Sequence, residues 1–197
     1  MNKRSKSAEP CRAAVAFLSL ALLTGCRSLH PTVCTIPNFG VVNQEAKIYR
    51  GGEPIAPEGW DHLKRLGVQT VLKLNTESES ADDGAETNGL TVVRLPISKL
   101  EQTLGSPKVA TIKWAVDVMS HGAVFVHCGS EARSKPHSLA AMLDSQGGQD
   151  RTGLVVATYR VWVQHWTKQC AQKEMMSFHF HPLLLPGLAN FWRDEVK

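Results

Sequence analysis

The sequence predicts an α/β domain with a central, mostly parallel sheet flanked by helices. Short apolar runs of strand length alternate with longer segments of helical periodicity, and Gly, Pro or polar stretches separate them. No internal repeat interrupts that alternation. The 197 residues, 43% of them hydrophobic, read as one domain able to bury a core without disulfide staples. Fifteen Gly and ten Pro at that apolar share exclude collagen-like, low-complexity and disordered classes.

The first 25 residues read as an address. Lys3, Arg4, Lys6 and Arg12 precede the apolar run 13–23, which is signal-peptide architecture and too short for a transmembrane helix. Leu23-Thr24-Gly25-Cys26 then resembles a bacterial lipobox, with Cys26 as the lipidated first residue. An exported lipoprotein of the bacterial cell envelope is the expectation. Residues 26–40 read as a tether and 41–197 as the domain. Removing the leader's four bases and one acid from 22 and 18 leaves 18 bases against 17 acids. That balance offers no electrostatic reason for a nucleic-acid partner.

Within the domain, residues 46–50 form a strand ended by Gly51-Gly52. A helix follows over 57–66, with Pro57 suited to its first turn, Gly67 closing it, and Trp60, Leu63 and Leu66 on one face. Residues 68–74 are a buried strand; 75–89 are polar and acidic, a solvated loop or a weak helix. A strand over 90–95 stops at Pro96. Ser106 and Pro107 are expected to open a helix reaching Ser120, with Ile112, Ala115, Val116 and Met119 as its apolar stripe. Residues 123–127 are a short apolar strand. Helices are expected over 153–166, 170–176 and 186–196. Cys34 and Cys170 read as unpaired cysteines packed as small hydrophobes, with a bridge between them as the alternative.

Ligands in such sheets bind beyond the carboxyl ends of the strands. Val126-His127-Cys128 ends one, and residues 147–153 (GGQDRTG) lead straight into a helix. A glycine-rich turn at a helix start gathers backbone N–H groups and positive field at one point. An adjacent Arg151 adds a bidentate fork for phosphoryl oxygens, and Cys128 there would have its thiolate stabilised. Thiolate, cradle and Arg suit attack on a phosphate monoester through a phosphocysteine intermediate.

His127-Cys128 followed by residues 148–153 resembles the HCxxGxDRTG signature of the protein tyrosine/dual-specificity phosphatase superfamily. Residues 38–42, 48–54, 60–67 and 71–75 are similar to the start of bacterial dual-specificity-type members. The resemblance implies a compact cysteine-phosphatase-like fold with no metal cofactor, acting on a phosphorylated protein or a small phosphate monoester. It makes Cys128 the nucleophile and Arg151 the phosphate ligand. Gly147, Gly148, Gln149, Thr152 and Gly153 form the cradle, and His127 orients the loop. Asp150 is chosen as general acid, with Glu101 second. Thr152 would hydrogen-bond the thiolate. The lack of a second cation beside Gln149 favours a singly phosphorylated group.

One departure separates this chain from the signature. The family places Arg six positions after Cys; here Cys128 and Arg151 are 23 apart, with 17 extra residues over 129–145. Ser145 stands where the nucleophile would be counted back from Arg151 and is a poor one without a base. Three explanations compete: the insert loops out and lets Cys128 meet the Gly148–Arg151 cradle; or it disables catalysis and leaves a phospho-ligand or protein-binding module; or it is a sequence artefact. A rhodanese-like sulfurtransferase is a third class, disfavoured by the Asp150-Arg151-Thr152-Gly153 ending. His179-Phe180-His181 has metal-like spacing without a matching cluster, so no metal is expected.

Overall fold

The computed structural model describes residues 36–54, 57–79, 83–129 and 147–197. The leader, Cys26, Cys34, Ser145 and the insert beyond Gly129 lie outside the described residues.

Five strands form one sheet: β1 (Gly40–Asn43), β2 (Ile48–Gly52), β3 (Thr70–Lys73), β4 (Thr91–Arg94) and β5 (Val124–Cys128). Their order is β1-β2-β5-β3-β4; β1 is antiparallel to β2 and every other pairing is parallel. Among the described residues the helices are α1 (Pro57–Arg65), α2 (Asp83–Thr87), α3 (Lys99–Thr103), α4 (Val109–Ser120), α5 (Asp150–Trp162), α6 (Lys168–Ser177) and α7 (Pro186–Asp194).

The strand period of two sorts the central strand between two cores. Val124, Val126 and Cys128 face the larger one, with Leu72, Ile112, Leu154 and Phe191. Phe125 faces the smaller one, with Tyr49, Trp60, Leu63 and Val71. His127 follows Phe125 onto that face: its ring stacks on Phe125 at 5.6 Å and meets Trp60 edge-on at 6.2 Å. Helix α5 runs through the larger core, with every residue from Asp150 to Arg160 buried. Its first turn therefore lies inside the core, at the carboxyl end of β5.

The observed elements depart from the sequence reading at several boundaries. Residues 36–40 belong to the domain and not to the tether: Ile36 is 2% exposed and the Pro37 carbonyl accepts from Gly52 N–H at 2.7 Å. Strand β1 escaped notice because a four-residue edge strand carries only two apolar side chains. Helix α3 lies where a loop was expected. A capping box starts it, Ser98 accepting from Glu101 N–H and the Glu101 carboxylate accepting from Ser98 N–H at 2.8 Å. Helix α4 begins at Val109, with Lys108 rather than Ser106 at its N-cap. A short α2 does form in the acidic segment. Cys170 is disulfide-bonded, against the expectation of a packed thiol, and its partner lies outside the described residues. Cys128 is free and buried.

Candidate functional site

Helix α5 starts at Asp150, three residues before the expected Gly153. The Gly153 N–H donates to the Gln149 carbonyl at 3.0 Å, so Asp150, Arg151 and Thr152 are the first helical turn. Strand β5 delivers Cys128, 4% exposed, beside that turn. The Gly148 N–H donates to the Cys128 carbonyl at 3.2 Å, and an Arg151 Nη2–H donates to the Gly129 carbonyl at 3.4 Å. Thus the two flanks of the insert, 129 and 147–148, close on each other despite the long sequence gap.

Glycine is required at the closure. Gly148 has φ +72°, and a Cβ there would overlap the backbone of Gly51 and Gly52. Its carbonyl is held by Arg50 Nη2 at 2.7 Å and Asn38 Nδ2 at 3.3 Å. On the other flank Asn75, just past β3, accepts from Gly129 N–H at 3.0 Å. Gly153 is buried, its Cα side packed near Met175.

Arg151 is buried and fully engaged at its fork. Its Nη1 donates to Glu79 Oε2 at 2.8 Å and to the Ile97 carbonyl at 3.3 Å; its Nη2 donates to Glu79 Oε1 at 2.8 Å as well as to Gly129. Burial pushes the Glu79 carboxyl up, but the Arg151 hydrogen bonds and charge, with Thr76, outweigh it and hold Glu79 below the usual carboxylate range.

Asp150 is also buried, which raises its carboxyl above the usual range. His181 counters this: its backbone N–H donates to Oδ1 at 2.7 Å, and its Nδ1 lies 3.2 Å from both carboxylate oxygens. A raised carboxyl is what a proton donor needs. Glu101, the second candidate, is committed to the α3 capping box. Thr152 Oγ1 and Gln149 Oε1 are buried without hydrogen-bond partners among the described residues.

Sequence reasoning missed Glu79, Arg50 and His181. Glu79 sat in a stretch read as solvated. His181 shows in the sequence only a His-x-His spacing with His179. Arg50 lies in the Ile48–Gly52 segment that carried the family resemblance, but no local pattern marks a strand arginine as a loop support. Among the described residues there is no group of three His, Cys, Asp or Glu placed to hold a metal ion. No helix among them is long and apolar enough to cross a membrane.

Comparisons with known proteins agree on one fold. The pattern described as "Tyrosine phosphatase family" matches residues 40–164. The chain is 27% identical over 139 residues to the dual specificity protein phosphatase TpbA of Pseudomonas aeruginosa, covering 71% of this chain and 54% of that protein. It therefore spans about half the length of that curated relative. The crystal structure of P. aeruginosa TpbA superposes with a TM-score of 0.59 at 21% identity, over 85% of this chain and 88% of that one. The core catalytic domain of the PP-IP phosphatase SIW14 from S. cerevisiae gives 0.58 at 19% identity, over 81% and 87%. At such identities the structural matches speak for the fold alone.

Proposed function

This chain belongs to the tyrosine phosphatase family, and from that premise we propose that it is a cysteine-dependent phosphatase of phosphate monoesters. The closure of the Cys128 carbonyl onto Gly148 N–H at 3.2 Å carries the reading, because it brings the end of β5 against the turn that opens α5. In this mechanism the Cys128 thiolate attacks phosphorus and the bond to the ester oxygen breaks. Asp150, raised by burial, gives its proton to that leaving oxygen. Arg151 and the N-terminal N–H groups of α5 stabilise the phosphoryl oxygens. Thr152 Oγ1, buried without a partner among the described residues, donates to the thiolate. Asp150 then takes a proton from water as that water attacks phosphorus, and the P–S bond breaks to free phosphate and the thiolate.

The substrate class is a singly phosphorylated side chain or a small phosphate monoester. A crystal structure of a P. aeruginosa TpbA variant in complex with pTyr supports a phosphoprotein substrate; it aligns at 21% identity with a TM-score of 0.55. We further propose export and membrane anchoring through a lipid on Cys26. Mass spectrometry of the mature protein should find that modification, and an unmodified start at Met1 would remove this claim.

The purified mature chain should hydrolyse an aryl phosphate without added metal, resist EDTA and be inhibited by vanadate. Cys128→Ser and Arg151→Ala should each abolish turnover. Turnover surviving Cys128→Ser would refute the assignment of the nucleophile. A second reading, an impaired phospho-ligand module, is favoured by the Glu79 carboxylate that already fills the Arg151 fork. It predicts vanadate binding with no turnover.

A further inference from the structure

Arg50 is 1% exposed, yet it pairs with no carboxylate among the described residues. The carboxylate whose charge acts on it, Glu174 on α6, gives both oxygens to Arg160. Arg50 Nη2 donates to the Gly148 carbonyl at 2.7 Å, and its guanidinium lies 3.8 Å over the Phe178 ring. Nε and Nη1 have no hydrogen-bond partner among the described residues. Burying a cation so incompletely compensated is expensive. Burial lowers the guanidinium to about 10, while the negative charges of Glu174 and Cys128 oppose that fall and Arg160 adds to it. A cation kept in such a place calls for an anion, and the loop above it is where one would arrive.

The route to the loop is short. Arg50 holds the Gly148 carbonyl, and the N–H of the same residue donates to the Cys128 carbonyl. In the sheet, Arg50 pairs with Val126 and Gly52 with Cys128. Among the described residues, the groups that act on the Arg50 charge are Glu174 on α6, Cys128 on β5 and Arg160 on α5.

We propose that Arg50 is a positioning residue of the phosphate site, fixing the Gly148 peptide and supplying from beneath the loop the positive charge that an anion at Cys128 faces. The proposal rests on the phosphatase reading of Cys128.

The test compares Arg50→Met and Arg50→Lys in the full chain. One readout is alkylation of Cys128 by iodoacetamide, followed by peptide mass spectrometry; the other is kcat and KM on an aryl phosphate. In Arg50→Met, alkylation should fall ~10-fold at about pH 6 and little at about pH 9, where the thiolate forms unaided. Its kcat should fall at least ~10-fold. Arg50→Lys keeps the charge but loses the fork, so alkylation at about pH 6 should stay within ~3-fold while kcat still drops ~10-fold. A folded Arg50→Met with wild-type alkylation and turnover overturns the proposal. If Arg50→Met does not fold, Arg50→Lys decides, and wild-type kcat there overturns it. Alkylation needs no turnover, so an inactive wild-type chain would defeat the phosphatase reading and leave the Arg50 contrast measurable.

Discussion

The guanidinium of Arg151 and the carboxylate of Glu79 meet end to end across 72 residues of sequence, each terminal nitrogen 2.8 Å from its own oxygen. Both side chains are almost fully buried, at 6% and 5% exposure. The pair fixes the arginine at the start of α5. It also fills both terminal nitrogens of the fork that the proposed mechanism assigns to the phosphoryl group.

Glu79→Gln leaves the buried guanidinium without its counter-charge and should lower stability by about 2–4 kcal/mol at neutral pH. The Glu79 carboxyl is held below its ordinary value, so its contribution is present above that value and lost as pH falls through the lowered one. The gap between variant and wild type should therefore close under acid. Vanadate should raise the melting temperature of the variant more than that of wild type. Thermal melts from acid to neutral pH, with and without vanadate, check all three outcomes.

Gly148 and Gly89 both have left-handed backbone, at φ +72° and +73°, but only Gly148 has backbone where a Cβ would go. Gly89→Ala should cost about 1–2 kcal/mol, the left-handed penalty alone. Gly148→Ala should cost more, because Gly51 must move, and turnover should be lost with it. Equal losses in denaturant melts of the two variants would contradict the tight closure.

Burial raises the Asp150 carboxyl, with His181 opposing. A raised carboxyl stabilises the fold below its ordinary value and loses that contribution as pH rises through the raised one. Asp150→Asn carries no such loss. Its melting temperature relative to wild type should climb from acid to neutral pH while kcat falls ~100-fold or more. His181→Ala removes a group that favours the ionised carboxylate, so the alkaline limb of kcat/KM should move upward.

Deleting residues 129–145 restores the family spacing, with Cys128 six positions before Arg151. The flanks already touch through Gly148 and Cys128, so the shortened loop has little distance to span. The deletion should fold and gain ~100-fold in kcat/KM if the sulfur is misplaced in the full chain. Equal rates on one aryl phosphate would show that the insert is harmless.

Much of the site is local chemistry, and local chemistry is legible in a sequence. Cys128 at a strand end, the double glycine and the Asp150-Arg151-Thr152 turn lie on short stretches whose roles follow from what each side chain can do. The strands β3 and β5 were legible too, because a buried strand is an apolar run. Even the alternation that sends Phe125 and His127 to one core and Val126 and Cys128 to the other is written into the residue order.

Only the tertiary structure decided the partners. Glu79 meets Arg151 across 72 positions, Arg50 meets Gly148 across 98, and His181 meets Asp150 across 31. None leaves a local trace, because a hydrogen bond between distant residues constrains neither periodicity nor turn chemistry near either of them. The same holds for the strand order and for Cys170, whose bonded state spacing could not establish. Periodicity tells which face of an element is buried; packing alone tells what covers it, and here the covering elements supply the charges that hold the loop.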